Sequence, residues 1–590
     1  MRRAIIVAWV ESRWEATSQR LISASTCEGA VLRLTVHICY ANGSYAILCA
    51  AVSPIVLRRS SATANMACGV RILHCAWPLM GGVVALIAAS AIADEAPRSA
   101  SAVMSARVDM LVAERWVSAN VRPAARSDDS EFCRRASLDL AGVIPTVSEV
   151  RAFLADSTAD KRARWIDRLL ASPRHASHMA NTWRRIMLPR GAVSEDLAAL
   201  AGFEGWLRQQ FAENRRYDHV VADLLVATGS PRQNRPTLFY TALGLKPEEI
   251  AATTSRIFLG VQIGCAQCHN HPFGHWTQPD FWGFAAFFAR LQQPQGPQAQ
   301  MELIDTVDGE VMLPDTSEPV PPKYLGGELA TTPEPEGRRL QLAIWLASRD
   351  NPYFARATVN RVWSLMFGRA LVEPVDDLDG SNRPSHPELL DELAQYFIDS
   401  AFDLRELFRV LANTQAYQRS SRMADDDPPV APELFARMPI RAMTPDQLYD
   451  SLVRATLRPP AQYTEGAMLG RALDSSRLAF LAKFDAGTNT PTEFDSGIPQ
   501  ALTLMNGALV SEAVNLEKSG LLAALDAPFF SNQDRVETLL LATLSRPPRP
   551  QELLAMTEHI EHAAARGHSR QAMADILWAL VNTAEFQLNH

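Results

Sequence analysis

The chain has 590 residues, with 57 basic and 65 acidic side chains and a formal net charge of −8. It is long enough for two or three domains with proper cores, and its acidic balance argues against a nucleic-acid partner. Eight cysteines in this length do not make a disulfide scaffold.

Two uncharged stretches open the sequence. Leu34 to Leu57 is followed by Arg58-Arg59, but Asn42-Gly43-Ser44 and Ser53-Pro54 interrupt it, which weakens a membrane-helix reading. Ile72 to Ala93 carries no formal charge, holds an apolar core over Pro78 to Ala89, and ends in Ala91-Ile92-Ala93 ahead of Asp94-Glu95. This is the grammar of a secretory signal over residues 66–93, with Met66 as its natural start and cleavage after Ala93. Residues 1–65 are then expected to be a non-structural extension, and the mature chain to be periplasmic or otherwise exported. It should contain no membrane span unless the signal stays uncleaved. Cleavage would leave only Cys133, Cys265 and Cys268. It would also remove 8 basic and 3 acidic residues, leaving 49 and 62, a net charge of −13.

Downstream the patterning is helical. Thr146-x-x-Glu149 is a capping box ahead of Val150, Phe153 and Leu154. Pro247-Glu248-Glu249 starts a helix with Ile250, Ile257, Phe258 and Val261 on one face, leading into Cys265. His271-Pro272 ends regular helix, and Thr277-x-x-Asp280 caps the next one, which carries Phe281, Trp282, Phe284, Phe287 and Phe288. A Pro-rich segment, 293–337, follows, and within it Leu303 to Met312 predicts a hairpin turning at Asp308-Gly309. Asn351-Pro352 then caps a helix that stops at Gly368, while Ser385-x-x-Glu388 and Thr444-x-x-Gln447 open two more. The expected fold class is mainly α: two helical domains, 105–292 and 338–590, joined by the Pro-rich segment with its small β-hairpin.

The most specific motif is Cys265-Ala266-Gln267-Cys268-His269, a Cys-x-x-Cys-His run followed by His271 and His275. Three chemistries fit it. The first is haem c: thioethers from Cys265 and Cys268 on one porphyrin edge, with His269 as proximal iron ligand. Candidates for a sixth ligand are His271, His275, His175, His178, His219, Met187, Met301 and Met312. The second is zinc, copper or iron without porphyrin, held by Cys265, Cys268, His269, His271 and His275. The third is a Cys265–Cys268 disulfide, as a clip or redox pair. The aromatic row after Thr277 could wall a porphyrin slot or simply fill a core.

At the level of whole motifs the chain resembles the planctomycete cytochrome-like proteins that pair domain of unknown function 1549 with domain of unknown function 1553. The first domain's pattern is carried by Arg134 to Thr146, Phe258-Leu259-Gly260, Cys265 to Phe273 and Trp276 to Phe281. The second's is carried by Asn351 to Arg356, Val359 to Trp363, Phe367-Gly368-Arg369, Pro374 to Asp377, Ser385 to Leu390 and Leu544 to Pro548. The resemblance covers most of residues 105–590. It implies an exported, mainly helical protein and carries the cytochrome label onto Cys265, Cys268 and His269, but it brings no reaction or substrate. This copy departs from the pattern in having Asn270 between the histidines and a degenerate Asp485 to Pro491.

Arg356, Asn360, Arg361, Asp376, Asp377, His386 and Glu388 form a second polar group, readable as a buried ionic network or as a site for a carbohydrate or anion. No nucleophile–base–orienter set, P-loop or dinucleotide fingerprint is present, so the sequence names no enzyme activity beyond redox chemistry if haem is bound. Two functions follow. One is an exported electron-transfer protein with haem c and a redox protein partner. The other is a metal-stabilised extracytoplasmic scaffold or polysaccharide-associated binding protein.

Overall fold

In the computed structural model the described residues are 35–41, 44–51, 100–189, 196–272, 274–292, 302–330, 337–378, 381–422, 429–457, 475–484, 503, 505 and 507–590. The signal segment 66–93 lies outside them, as do Met301, Phe273 and Asp485 to Pro491. Residues 1–91 and 92–590 separate as two compact units. Of the first, only two strands are described, Thr35–Ala41 and Ser44–Ala51, paired antiparallel with Ala41 opposite Ser44. That replaces the membrane-helix reading of this stretch: β-branched and aromatic residues flank Asn42-Gly43, the dipeptide that favours two-residue hairpins.

The second unit is mainly α. Its strands, among the described residues, are two-residue pairs: Leu291–Gln292 with Ile304–Asp305, and Arg441–Ala442 with Leu588–Asn589. The expected hairpin at Asp308-Gly309 is therefore corrected. Ile304 and Asp305 pair backwards with Leu291–Gln292, just after the aromatic helix, and Val311 O instead accepts from Val320 N–H. Local turn chemistry lost to a partner already in place.

Where caps are local, they form as their sequences dictate. Thr146–Glu149, Thr277–Asp280 and Thr444–Gln447 are all reciprocal capping boxes. Asn351 Oδ1 accepts from the N–H groups of Tyr353 and Phe354, and Gly368 closes that helix with φ 71°. Ser385 is not a cap: the Pro387–Asp399 helix starts at His386 with no side-chain cap bond.

Two hydrophobic clusters hold residues 92–590 together. The larger draws on Val108, Trp183, Phe258 and Phe284 before the Pro-rich segment and on Phe354, Trp363, Leu393 and Tyr417 after it. The smaller joins Leu138 and Ile144 to the C-terminal helices through Met443, Leu539, Leu577 and Phe586. The Pro-rich segment is itself packed. Leu303 and Leu325 are buried, Tyr324 stacks on Trp345 at 5.0 Å, and Lys323 pairs with Asp280 at 2.6 Å.

Buried arginines fasten the Asp129–Ala141 helix to distant chain. Arg134 donates to the carbonyls of Thr543 (2.9 Å), Glu585 (3.2 Å) and Phe586 (2.7 Å). Arg135 donates to those of Tyr417 and Arg419 and pairs with Glu131. Burial lowers the Arg134 guanidinium to about 10, which still leaves it charged at neutral pH.

Candidate functional site

The helix that starts at Pro247 ends before the cysteine motif. It runs as α-helix over Pro247–Thr254, widens to a π turn over Ser255–Leu259, and stops at Gly260, whose φ is 64°. A Cβ on Gly260 would stand 2.7 Å from Leu378 Cδ1 and 3.0 Å from Ala357 Cβ, so both the left-handed backbone and the close approach of the second half of the chain require glycine at this stop. The expected continuous helix into Cys265 is corrected accordingly.

Cys265 lies instead in one 3-10 turn, Gly264–Gln267, with Cys268 as its C-terminal cap. Residues three apart eclipse in such a turn, so both cysteines share a side. Ala266 points inward and is fully buried, while Cys265, Cys268 and His269 are exposed, and both thiols are free. The loop that follows is held by backbone-directed bonds. Gln278 donates from Nε2 to the carbonyls of Gln267 and Cys268, Trp282 donates to that of Gln267, and His271 N–H bonds Trp276 O at 2.8 Å.

The three histidines are placed differently. His269 Nδ1 lies 2.7 Å from Asn270 O, a contact that puts the proton on Nδ1 and leaves the Nε2 lone pair available. His271 Nδ1 accepts from Gly274 N–H at 2.7 Å. His275 lies against the Trp276 ring, centroids 4.2 Å apart. Among the described residues no three His, Cys, Asp or Glu side chains come together as a metal site, and that includes Cys265, Cys268, His269, His271 and His275.

These features fit a haem attached from outside. Two exposed thiols on one side and an imidazole with Nε2 left over are the donor set it requires. Phe281, Phe284, Phe287 and Phe288 are buried in the core, Phe284 packing edge-on against Phe287 and Phe288 and Phe281 against Trp282, which is partly exposed. Of the other residues weighed as iron ligands, His175 is buried with Nδ1 on Leu140 O, Met187 is fully buried, and His219 and Met312 are exposed.

The second polar group is an ionic network. Arg361 pairs with Asp376 at 2.6 Å and donates to Ile257 O, while Arg256 reaches the same carboxylate at 2.9 Å. Asn360 bonds Val372 and Val375, Arg356 pairs with Asp391, and Glu388 is exposed. Burial, with Arg115 nearby, lowers His386 to about 4. Sequence reasoning did not find Asn181, Arg185 or Asn589, which share a cavity with Arg361 and Asp376.

Residues 107–293 match a family described as PSCyt2, protein of unknown function (DUF1549). Residues 338–560 match one described as PSD1, protein of unknown function (DUF1553). No curated protein and no solved structure matches the chain.

Proposed function

Because the chain belongs to the family that pairs domain of unknown function 1549 with domain of unknown function 1553, we propose a function from its own cysteine turn: covalent attachment of haem through Cys265 and Cys268, with His269 as proximal iron ligand, in an exported electron-transfer protein. The observation that carries this reading is the His269 Nδ1 contact with Asn270 O beside two free, exposed thiols. The carbonyl fixes the tautomer and orients the ring, as outer partners do for metal-bound histidine. Each thiol adds across one vinyl group, sulfur bonding to carbon and the thiol hydrogen going to the neighbouring carbon, so no oxidant is consumed. Bound haem supplies one-electron chemistry. Exposure of the cysteine face suits electron exchange with a protein partner docked there.

Production in a host with working cytochrome c maturation tests this. The expected result is a haem-linked peroxidase stain that survives a denaturing gel and a reduced c-type absorbance band, both altered or lost in Cys268→Ala and His269→Ala. Stoichiometric metal without porphyrin, or no stain, contradicts it.

A further inference from the structure

A cavity of about 830 Å³ opens between the Pro173–Met187 helix, the Phe354–Phe367 helix and the Ser255–Leu259 π turn. Its size falls within the roughly 300–1,000 Å³ of small-molecule sites. Arg361, Ser364 and Leu365 line it at i, i+3 and i+4, so one helix face forms a wall. Arg256 reaches it from the π turn, a widening frequent at functional sites. Cys265, Cys268 and His269 lie outside the wall.

The carboxylates buried in this wall are spent on the protein. Asp139 takes Arg441 at 2.8 Å, Asn589 Nδ2 at 2.7 Å and the Tyr417 hydroxyl at 2.7 Å. Asp446 pairs with Arg477 and has Arg185 at 3.6 Å. Asp376 lies between two guanidiniums, Oδ1 2.6 Å from Arg361 and Oδ2 2.9 Å from Arg256. Two guanidiniums on one carboxylate leave that corner with one positive charge in excess. Glu373 adds a carboxylate only at the exposed rim, where its Oε1 accepts from Ala370 N–H at 2.6 Å.

The donors are not spent. Arg256 bonds through Nη1 and Arg361 through Nη2, so Arg256 Nη2 and Arg361 Nη1 donate to none of the described residues. Ser364 Oγ and Asn181 Nδ2 also donate to none, on cavity-lining residues 3% and 4% exposed. Unlike the sealed Oδ1 of Asn181, these four atoms keep accessible surface. Open donors beside one excess positive charge call for an accepting group with one negative charge. Guanidinium N–H groups match the two oxygens of a carboxylate. Inorganic phosphate carries more charge than the excess and has no apolar part to cover. Apolar surface adjoins the corner: Leu365 stands one turn beyond Arg361, and Pro374-Val375 directly precede Asp376, all half-buried or exposed. We infer that this cavity binds an organic monocarboxylate, its carboxylate on Arg256 and Arg361 and its apolar body on Leu365, Pro374 and Val375.

Calorimetric titration of the full chain at pH 7 tests the inference. The probes are benzoate, phenylacetate, cinnamate and octanoate, compared with benzamide, acetate and inorganic phosphate. At least one of the four acids should bind saturably, about ten-fold or more tighter than any of the comparisons. Arg256→Gln should weaken that binding about ten-fold or more, while Arg361 still pairs with Asp376 and holds the corner. Glu373→Gln, which removes a negative charge from the rim, should strengthen binding or leave it unchanged. Thr182→Trp, at a half-buried position of the same wall, should block binding by bulk. Failure of all four acids to bind overturns the inference. So does a comparison compound that binds as tightly as the acids, wild-type affinity in Arg256→Gln or Thr182→Trp, or weaker binding in Glu373→Gln. Calorimetry reads this binding whether or not haem is attached, so this site and the haem reading stand or fall separately.

Discussion

At the residue scale, what matters is which nitrogen or oxygen is spent on the protein and which is left over. His269 spends Nδ1 on Asn270 O and keeps Nε2. His175 spends Nδ1 in the same way, on Leu140 O, but its ring is buried edge-on against Phe408, and burial lowers its pKa from 6.5 to about 3. The unfolded chain then binds a proton that the native state refuses. Stability is full above the unfolded value near 6.5 and declines as pH falls below it, down toward the folded value. Urea unfolding between pH 7.5 and 4.5 should show that loss, and His175→Gln should flatten the slope; an unchanged slope would remove His175 as its source. The capping threonines were legible in the sequence because every atom involved lies within four residues. Asn181 and Asn589 were not, since each becomes notable only once the other side of the cavity is in place.

Elements in this fold end where distant chain tells them to. The Pro247–Thr254 helix and its π turn stop at Gly260, whose left-handed backbone turns the chain, and Ala357 and Leu378 leave no room there for any side chain. Periodicity alone extended that helix into Cys265, and no local signal contradicted it. Gly260→Ala should cost roughly 1–3 kcal/mol through strain and overpacking. It should also lower haem attachment, by shifting the turn that presents both cysteines. Wild-type stability with full attachment would show that the stop is not needed. Arg134 makes a parallel case for the Asp129–Ala141 helix. Its three carbonyl partners are more than 400 residues away, so the sequence offered only an arginine in a helix. Arg134→Leu strands buried acceptors and should destabilise by roughly 2–4 kcal/mol in denaturant unfolding. A loss under about 1 kcal/mol would mean water replaces the guanidinium.

The whole molecule, over residues 92–590, is built around cores that run across the Pro-rich segment and take in its Leu303 and Leu325. Phe258 and Phe284 share a cluster with Phe354 and Trp363, and Leu138 belongs to the cluster of the C-terminal helices. Helical content was readable from caps and apolar spacing, but this sharing was not, because composition marks a Pro-rich stretch without saying what packs on it. A fragment of residues 94–292 should therefore lack a cooperative thermal transition by circular dichroism; a sharp one would show that it has a core of its own. The proposal at this scale is that the chain carries haem on the Cys265–His269 turn. Intact mass of the protein from a maturation-competent host tests this most directly. The account predicts one covalent haem per chain, traced by peptide mass to Cys265 and Cys268. Two unmodified thiols at those positions would contradict it.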